Sequence, residues 1–337
     1  MGLKMNNSFM QSRLVAVISD VDETIADLYL PAEVPMLEAL TELLSLGTKL
    51  VLITGQSVDN VERRVVNLLP SIYRNHILVG HCSGAELWGY DTDGKRLTTP
   101  HYSMYQGQMS SEMVRAWRET IKMVLDEFKL QVLPTMPLRQ FNEEVGDDPW
   151  VVMYEDRGPQ ITIEFVNAYC MNNSQQNRYS DRLGRKVSGN DLRSEVKARA
   201  ENLLNKASVK ISPRLAGIFA LDFALENVTK ANAVRAAFQN DLNFVQEVDK
   251  PCMNNGHLFQ VWGDKFSVKD GTDWHMTVAM PQSTLSISFR NENVEEMPSG
   301  YYVRQWGGKN RLHHGLTEYL KSELLPLLRG GKAEQIG

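Results

Sequence analysis

The 337-residue sequence predicts an α/β protein: a Rossmann-like, doubly wound parallel sheet into which an α+β domain is inserted. Three observations lead there. Near the N-terminus, short apolar runs of strand length alternate with stretches whose apolar residues recur at helical spacing, the order from which parallel sheets covered on both faces are built. In the middle, long helical patterns surround a hairpin. Beyond about residue 225 the first pattern returns, so two distant stretches must pair to complete one sheet.

"LVAVIS" (14–19) reads as a buried strand, and "PAEVPMLEALTELLSLG" (31–47) as a helix through Leu37, Leu40, Leu43 and Leu44, stopped by Gly47. "KLVLITG" is a second strand, "SVDNVERRVVNLL" a second helix with Ser57 as its cap, and "HILVGHCSGAELWGY" a third strand. "MSSEMVRAWRETIKMVLDEF" predicts a long helix, and "WVVMYEDRGPQITIEFV" a hairpin turning at Asp156-Arg157-Gly158-Pro159. The polar stretch 170–190 reads as an exposed loop. "GNDLRSEVKARAENLLNKA" follows as a helix and "AGIFALDFAL" as a strand. "TKANAVRAAFQND" predicts a helix, "HLFQVWGD" a strand and "HHGLTEYLKSELLPLLR" a terminal helix. These place a discontinuous core at 11–98 and 225–330, and the inserted α+β domain, the cap once the resemblance below is drawn, at 99–224.

A composition of 42% hydrophobic and 23% charged residues is enough for a core and too apolar for disorder. The net charge of −5 disfavours nucleic acid and anionic membranes as partners, so a small molecule is expected. Cys82, Cys170 and Cys252 lack CxxC spacing and predict neither a disulfide framework nor a zinc site. "MGLKMNNSFMQSRL" has no signal-peptide pattern, no run reaches membrane-spanning length, and Asn6 stands where a myristoylation start wants Ser or Thr; a cytoplasmic location is the expectation. His81, His101, His257, His275 and the pair His313-His314 read as structural or surface residues, and Trp150, Tyr154 and Arg157 as core or turn residues.

The chemistry-bearing residues gather where strands end. Asp20, Asp22, Glu23 and Asp27 follow the first strand, Thr54 and Gly55 the second, and Asp264 a later one; ligands in such sheets bind beyond these carboxyl ends. Any single acid there is ordinarily a solvated loop residue or a cap, which suits Glu23 and Asp27. The ordered set is another matter. "DVDET", "LVLITGQ", "ENVTKANAVRAAF" and "VWGDKFSVKDGTDWHM" together resemble the four motifs of the haloacid dehalogenase-like superfamily, most of whose members are Mg²⁺-dependent phosphatases. An insertion between the second and third motifs resembles the branch with a large α/β cap, which includes Cof-like sugar phosphatases, trehalose-phosphate phosphatases and phosphomannomutases. Glu23 stands where that branch usually has Gly.

The resemblance implies Asp20 as nucleophile, Asp22 as general acid and base, and Thr54, Gly55 and Lys230 at the phosphate. It implies Mg²⁺ on Asp20, on Asp22 through its backbone carbonyl, and on Asp264, with Asp273, or alternatively Asp270, as the second acid of the fourth motif. Phosphate and several carboxylates can share one site only with cations, because two like charges ~4 Å apart repel by about 4 kcal/mol at an effective dielectric of 20. The implied activity is hydrolysis of a small phosphomonoester, a sugar phosphate first, under a closing cap. A phosphomutase and a non-catalytic phospho-ligand-binding module are the alternatives.

Overall fold

A computed structural model describes residues 13–238, 244 and 255–335. In chain order these form β1 (Ala16–Ser19), α1 (Val34–Ser45), β2 (Lys49–Ile53), α2 (Val58–Arg64), β3 (Ile77–His81), β4 (Glu86–Trp88) and β5 (Tyr102–Ser103). Then come α3 (Met104–Gln108), α4 (Ser111–Glu127), β6 (Gln131–Leu133), α5 (Leu138–Val145), β7 (Val151–Asp156), β8 (Gln160–Glu164), α6 (Asn173–Leu183), α7 (Leu192–Lys206), β9 (Ile211–Ala216) and β10 (Ala220–Leu225). The remainder is α8 (Lys230–Ala237), β11 (Phe259–Gly263), α9 (Trp274–Val278), β12 (Leu285–Ser288), β13 (Val303–Gln305), α10 (Leu312–Tyr319) and α11 (Leu325–Gln335). Among the described residues, no helix is long and apolar enough to cross a membrane.

The chain divides into two units, at Ser103/Met104 and at Val228/Thr229. The first holds an eight-stranded sheet in the order β13-β12-β11-β1-β2-β3-β4-β5, parallel from β13 to β3 and antiparallel at β4 and β5. Alternation along the strands feeds two cores. Val17, Leu50, Leu52 and Val79 pack with Met36, Leu40, Leu43 and Leu44 of α1, while Ala16, Ile18, Val51, Ile53 and Leu78 pack with Ala233, Val234 and Ala237 of α8. Burying each larger aliphatic side chain is worth about 1.5–3 kcal/mol. The strands are therefore held by their apolar residues, and the polar residues that follow are carried to the carboxyl rim.

Several elements differ from the sequence reading. The expected third strand is two: after β3, Cys82, Ser83 and Gly84 take φ of 49°, 58° and 94°, and β4 returns antiparallel. A Cβ at Gly84 would lie 2.6 Å from the Thr229 carbonyl, so the reversal needs glycine there for space as well as for its φ. Because Tyr102 pairs with Leu87 across β4 and β5, residues 99–103 fall in the first unit, and Leu225 stays in the second through its pairing with Ile211. The terminal helix is interrupted by π-helical Leu320–Leu324 just before Pro326, which has no N–H to donate.

The second unit carries its own sheet, β6-β7-β8-β10-β9. The expected hairpin is β7–β8, and the run "AGIFALDFAL" proves to be the end of β9, a turn and β10, with Pro213 on an edge strand where its missing N–H is tolerated. Residues 170–190 are not a loop: α6 lies within them, opened by a capping box between Asn172 and Gln175 and closed by Gly184 at φ 73°. Tyr179 anchors this polar helix, donating from its buried hydroxyl to the Phe128 carbonyl at 2.6 Å. Trp150 receives Arg178 and Arg182 against its ring, and buried Arg157 pairs with Glu155 at 2.8 Å.

Candidate active site

β1 delivers Asp20 to the carboxyl rim, where its backbone N–H still donates to Trp262 of β11 at 2.9 Å. The chain then turns tightly: Ile25 and Ala26 N–H both reach back to the Val21 carbonyl, and Glu23 sits at φ 58°. α8 begins with a capping box between Thr229 and Asn232, which places Lys230 in its first turn. The Lys230 ammonium, only 5% exposed, meets Asp20 Oδ1 directly and Asp273 Oδ1 at 2.7 Å. Asp273 in turn accepts from the backbone N–H groups of Asp264 and Lys265 at 3.0 and 2.9 Å, which fixes the loop after β11.

Of the two candidate acids in that loop, the structure brings Asp273 into the site. Asp270 is an exposed side chain paired with Lys265 at 3.0 Å. Gly263 makes the approach of Asp273 possible, because a Cβ there would lie 2.4 Å from Asp273 Oδ2.

Asp22 lies on the same rim but in a separate web. It accepts from Thr54 Oγ1 at 3.1 Å and from Arg64 Nη1 at 2.7 Å, while Thr54 Oγ1 also accepts from the Gln56 N–H at 3.0 Å. Arg64, almost fully buried, further donates to the Leu30 and Asp27 carbonyls and to Asn60. Gly55 follows Thr54 beyond the tip of β2, where an added Cβ would lie 3.8 Å from Ser83 Oγ.

Arg64 and Arg290 were not foreseen. Arg290, beyond β12, pairs with Asp264 Oδ2 at 2.6 Å and also with Glu23, which thereby joins the site instead of remaining a solvated loop residue. Asp27 keeps its local role, its side chain accepting from the Leu28 N–H. In an alternating "VDNVERR" helix an arginine reads as solvated face, and only the tertiary fold shows what it reaches.

Five carboxylates, of Asp20, Asp22, Glu23, Asp264 and Asp273, thus face three cations, Lys230, Arg64 and Arg290. Burial pushes Asp20 well above the usual carboxylate range, Lys230 opposing and Asp273 and Asp264 reinforcing. Burial and the charge of Asp273 push Asp264 up to about 7 against Arg290. For Lys230 burial works against the charged form, but Asp20 and Asp273 outweigh it and hold the ammonium protonated. Oxygens of Asp20, Asp264 and Asp273, all buried, lie within 4.8 Å of one another. A buried cluster of three carboxylates offers oxygen donors only, which fits a hard divalent cation such as Mg²⁺.

No family model matches the chain, and no curated protein does. Solved structures do. Over 94% of this chain and 93% of the other, it superposes on the C-terminal domain of C. albicans trehalose-6-phosphate phosphatase with a TM-score of 0.52 at 14% identity. A phosphatase of the haloalkanoate enzyme superfamily, BT1666 from Bacteroides thetaiotaomicron, is matched over 97% of this chain and 99% of that one at 16% identity, TM-score 0.48. An identity of 14% speaks to fold alone: the chain shares the α/β fold of the C. albicans domain.

Proposed function

We propose that the protein is a Mg²⁺-dependent phosphatase that hydrolyses a small phosphomonoester, a sugar phosphate first among them, through an aspartyl-phosphate. One observation carries the reading: Asp20, Lys230 and Asp273, far apart in sequence, form one continuous buried ion chain beside Asp264 at the ends of the central strands. Such a chain is costly to build for stability alone, since buried ion pairs rarely outperform apolar packing.

In the proposed reaction an Asp20 oxygen bonds to phosphorus as the phosphorus–alkoxide bond breaks, and Asp22 passes a proton to the departing oxygen. A water then attacks the phosphorus, Asp22 takes its proton, and inorganic phosphate leaves as Asp20 is restored. Lys230 and the Thr54 hydroxyl donate to phosphoryl oxygens as charge builds there, with the Gly55 backbone beside them. Arg64 donates to Asp22 Oδ1 and, across the turn, to the Asp27 carbonyl, which anchors the Asp22 carboxyl to the loop after β1. Asp20, Asp264, the Asp22 carbonyl and, from behind, Asp273 would hold Mg²⁺. When bound, the ion supplies positive charge against the phosphate and the clustered acids. The sugar-phosphate class follows the motif resemblance and the activity named for the C. albicans domain.

The test is phosphate release from a panel of sugar phosphates, nucleotides and other phosphometabolites, with and without Mg²⁺. The wild type should turn over at least one substrate only with Mg²⁺, and Asp20→Asn should lose at least ~10³-fold in kcat. Full Mg²⁺-dependent release by Asp20→Asn would end this mechanism. Isomerisation of a sugar phosphate without release would replace hydrolysis by phosphoryl return to a second hydroxyl.

A further inference from the structure

We propose that Glu33, His313 and His314 form a second cation site, suited to a zinc-class divalent ion and separate from the Asp20 centre. Glu33 is the N-cap residue of α1, yet its side chain makes no capping bond. Its two carboxylate oxygens instead face two imidazoles: Oε1 is 3.9 Å from Nε2 of His313, and Oε2 is 3.4 Å from Nδ1 of His314. One donor atom from each of the three residues lies within 4.8 Å of the others.

These spacings are wrong for direct ion pairs, which close to about 2.8 Å. They approach the edge of a tetrahedron with metal–ligand bonds of about 2.0–2.1 Å, which is roughly 3.3 Å. His313 is 9% exposed, its Nδ1 has no partner among the described residues and its Nε2 has only the distant Glu33, so a buried imidazole is left without a close hydrogen bond. Neighbouring side chains on a regular helix diverge by about 100°. Here the rings of His313 and His314, in the first turn of α10, nevertheless stand 4.1 Å apart.

Donor chemistry separates the two centres. Two imidazoles and a carboxylate match Zn²⁺ and its neighbours, whereas the Asp20 cluster offers oxygen only and matches Mg²⁺. Glu33 and His314 also line an open cleft of about 530 Å³ with Asn310, Thr317 and Lys321, which leaves room for a water to complete the coordination. A bound ion would tie the start of α1 to the start of α10.

The experiment uses the full-length protein, stripped with a chelator and titrated with Zn²⁺ by calorimetry and by thermal unfolding, with X-ray absorption on the zinc-loaded sample. Expected are imidazole scattering around zinc and a zinc-dependent rise in Tm, both kept in Asp264→Asn. Glu33→Gln and His314→Ala, at exposed positions that should fold normally, should each weaken zinc binding at least ~10-fold, the lower bound for losing even an outer partner of a metal site. Undiminished binding by both variants, or a ligand shell without imidazole, or loss in Asp264→Asn alone, would overturn the assignment.

Discussion

Glu23 holds a left-handed backbone conformation, φ 58°, that costs an ordinary L-residue about 1–2 kcal/mol and glycine almost nothing. Its side chain offers a compensation glycine lacks, the pairing with Arg290, and the same guanidinium holds Asp264. Arg290 therefore stands where a cation bound to Asp264 would feel its charge. Arg290→Ala should lower the Mg²⁺ concentration for half-maximal phosphate release by about tenfold, or ~1.4 kcal/mol. That is well short of the bare Coulomb figure, because the Arg290 side chain is 39% exposed and water screens it. A Mg²⁺ titration of wild type, Arg290→Ala and Arg290→Lys checks this, with Lys in between. A raised Mg²⁺ requirement in Arg290→Ala would mean that the arginine aligns Asp264 instead of competing for it. None of this is legible in the chain order, since linear spacing says nothing of which guanidinium reaches which acid. Nor could spacing separate Asp270 from Asp273; burial did, by sending one to solvent and the other against Lys230.

At the level of elements, the geometry of the proposed site depends on how closely α8 lies on the sheet. A Cβ added at Gly80 of β3 would meet Ala233 Cβ of α8 at 2.6 Å, so Gly80→Ala must push the helix that carries Lys230 away from the strands. Overpacking of this kind costs about 1–3 kcal/mol. Gly80→Ala should lose that much in urea unfolding and at least ~10-fold in kcat, a misplacement effect expected from displaced catalytic groups. If stability falls and kcat does not, the position of Lys230 is not what limits turnover. The strands and helices that form this contact were readable because parallel strands buried on both faces must be continuously apolar, as "AVIS" and "KLVLI" are. β12 and β13 were not. "LSIS" and "VRQ" are short and half polar, and become strands only because β11 offers an edge to β12 and β12 in turn offers one to β13. α6 escaped for the opposite reason, a helix made by its caps and one buried tyrosine instead of by an apolar stripe.

Across the whole molecule, crowding acids into one buried rim leaves a signature in stability. Asp264, pushed up to about 7 by burial and Asp273, and Asp20, raised well above the ordinary range by burial, both hold protons more tightly in the folded chain than in the unfolded one. A carboxyl raised in this way contributes most below its unfolded pKa of about 4, and its contribution is lost as pH rises toward the folded value. The metal-free protein should accordingly lose stability between about pH 4 and pH 7, by up to ~1.4 kcal/mol per pH unit for each such group. This is the reverse of the trend for salt-bridged surface acids. Millimolar Mg²⁺ should flatten the decline, because the cation takes over the charge that the protons had neutralised, and its binding near pH 6.5 should release protons, seen as a buffer-dependent heat in calorimetry. Asp264→Asn removes one of the two raised carboxyls, and should flatten the metal-free profile in part and diminish the proton release. A wild-type stability that rises over that interval, with Mg²⁺ binding heats independent of buffer, would show that these carboxylates are already ionised without the metal and that Lys230 and Arg290 suffice to hold them together.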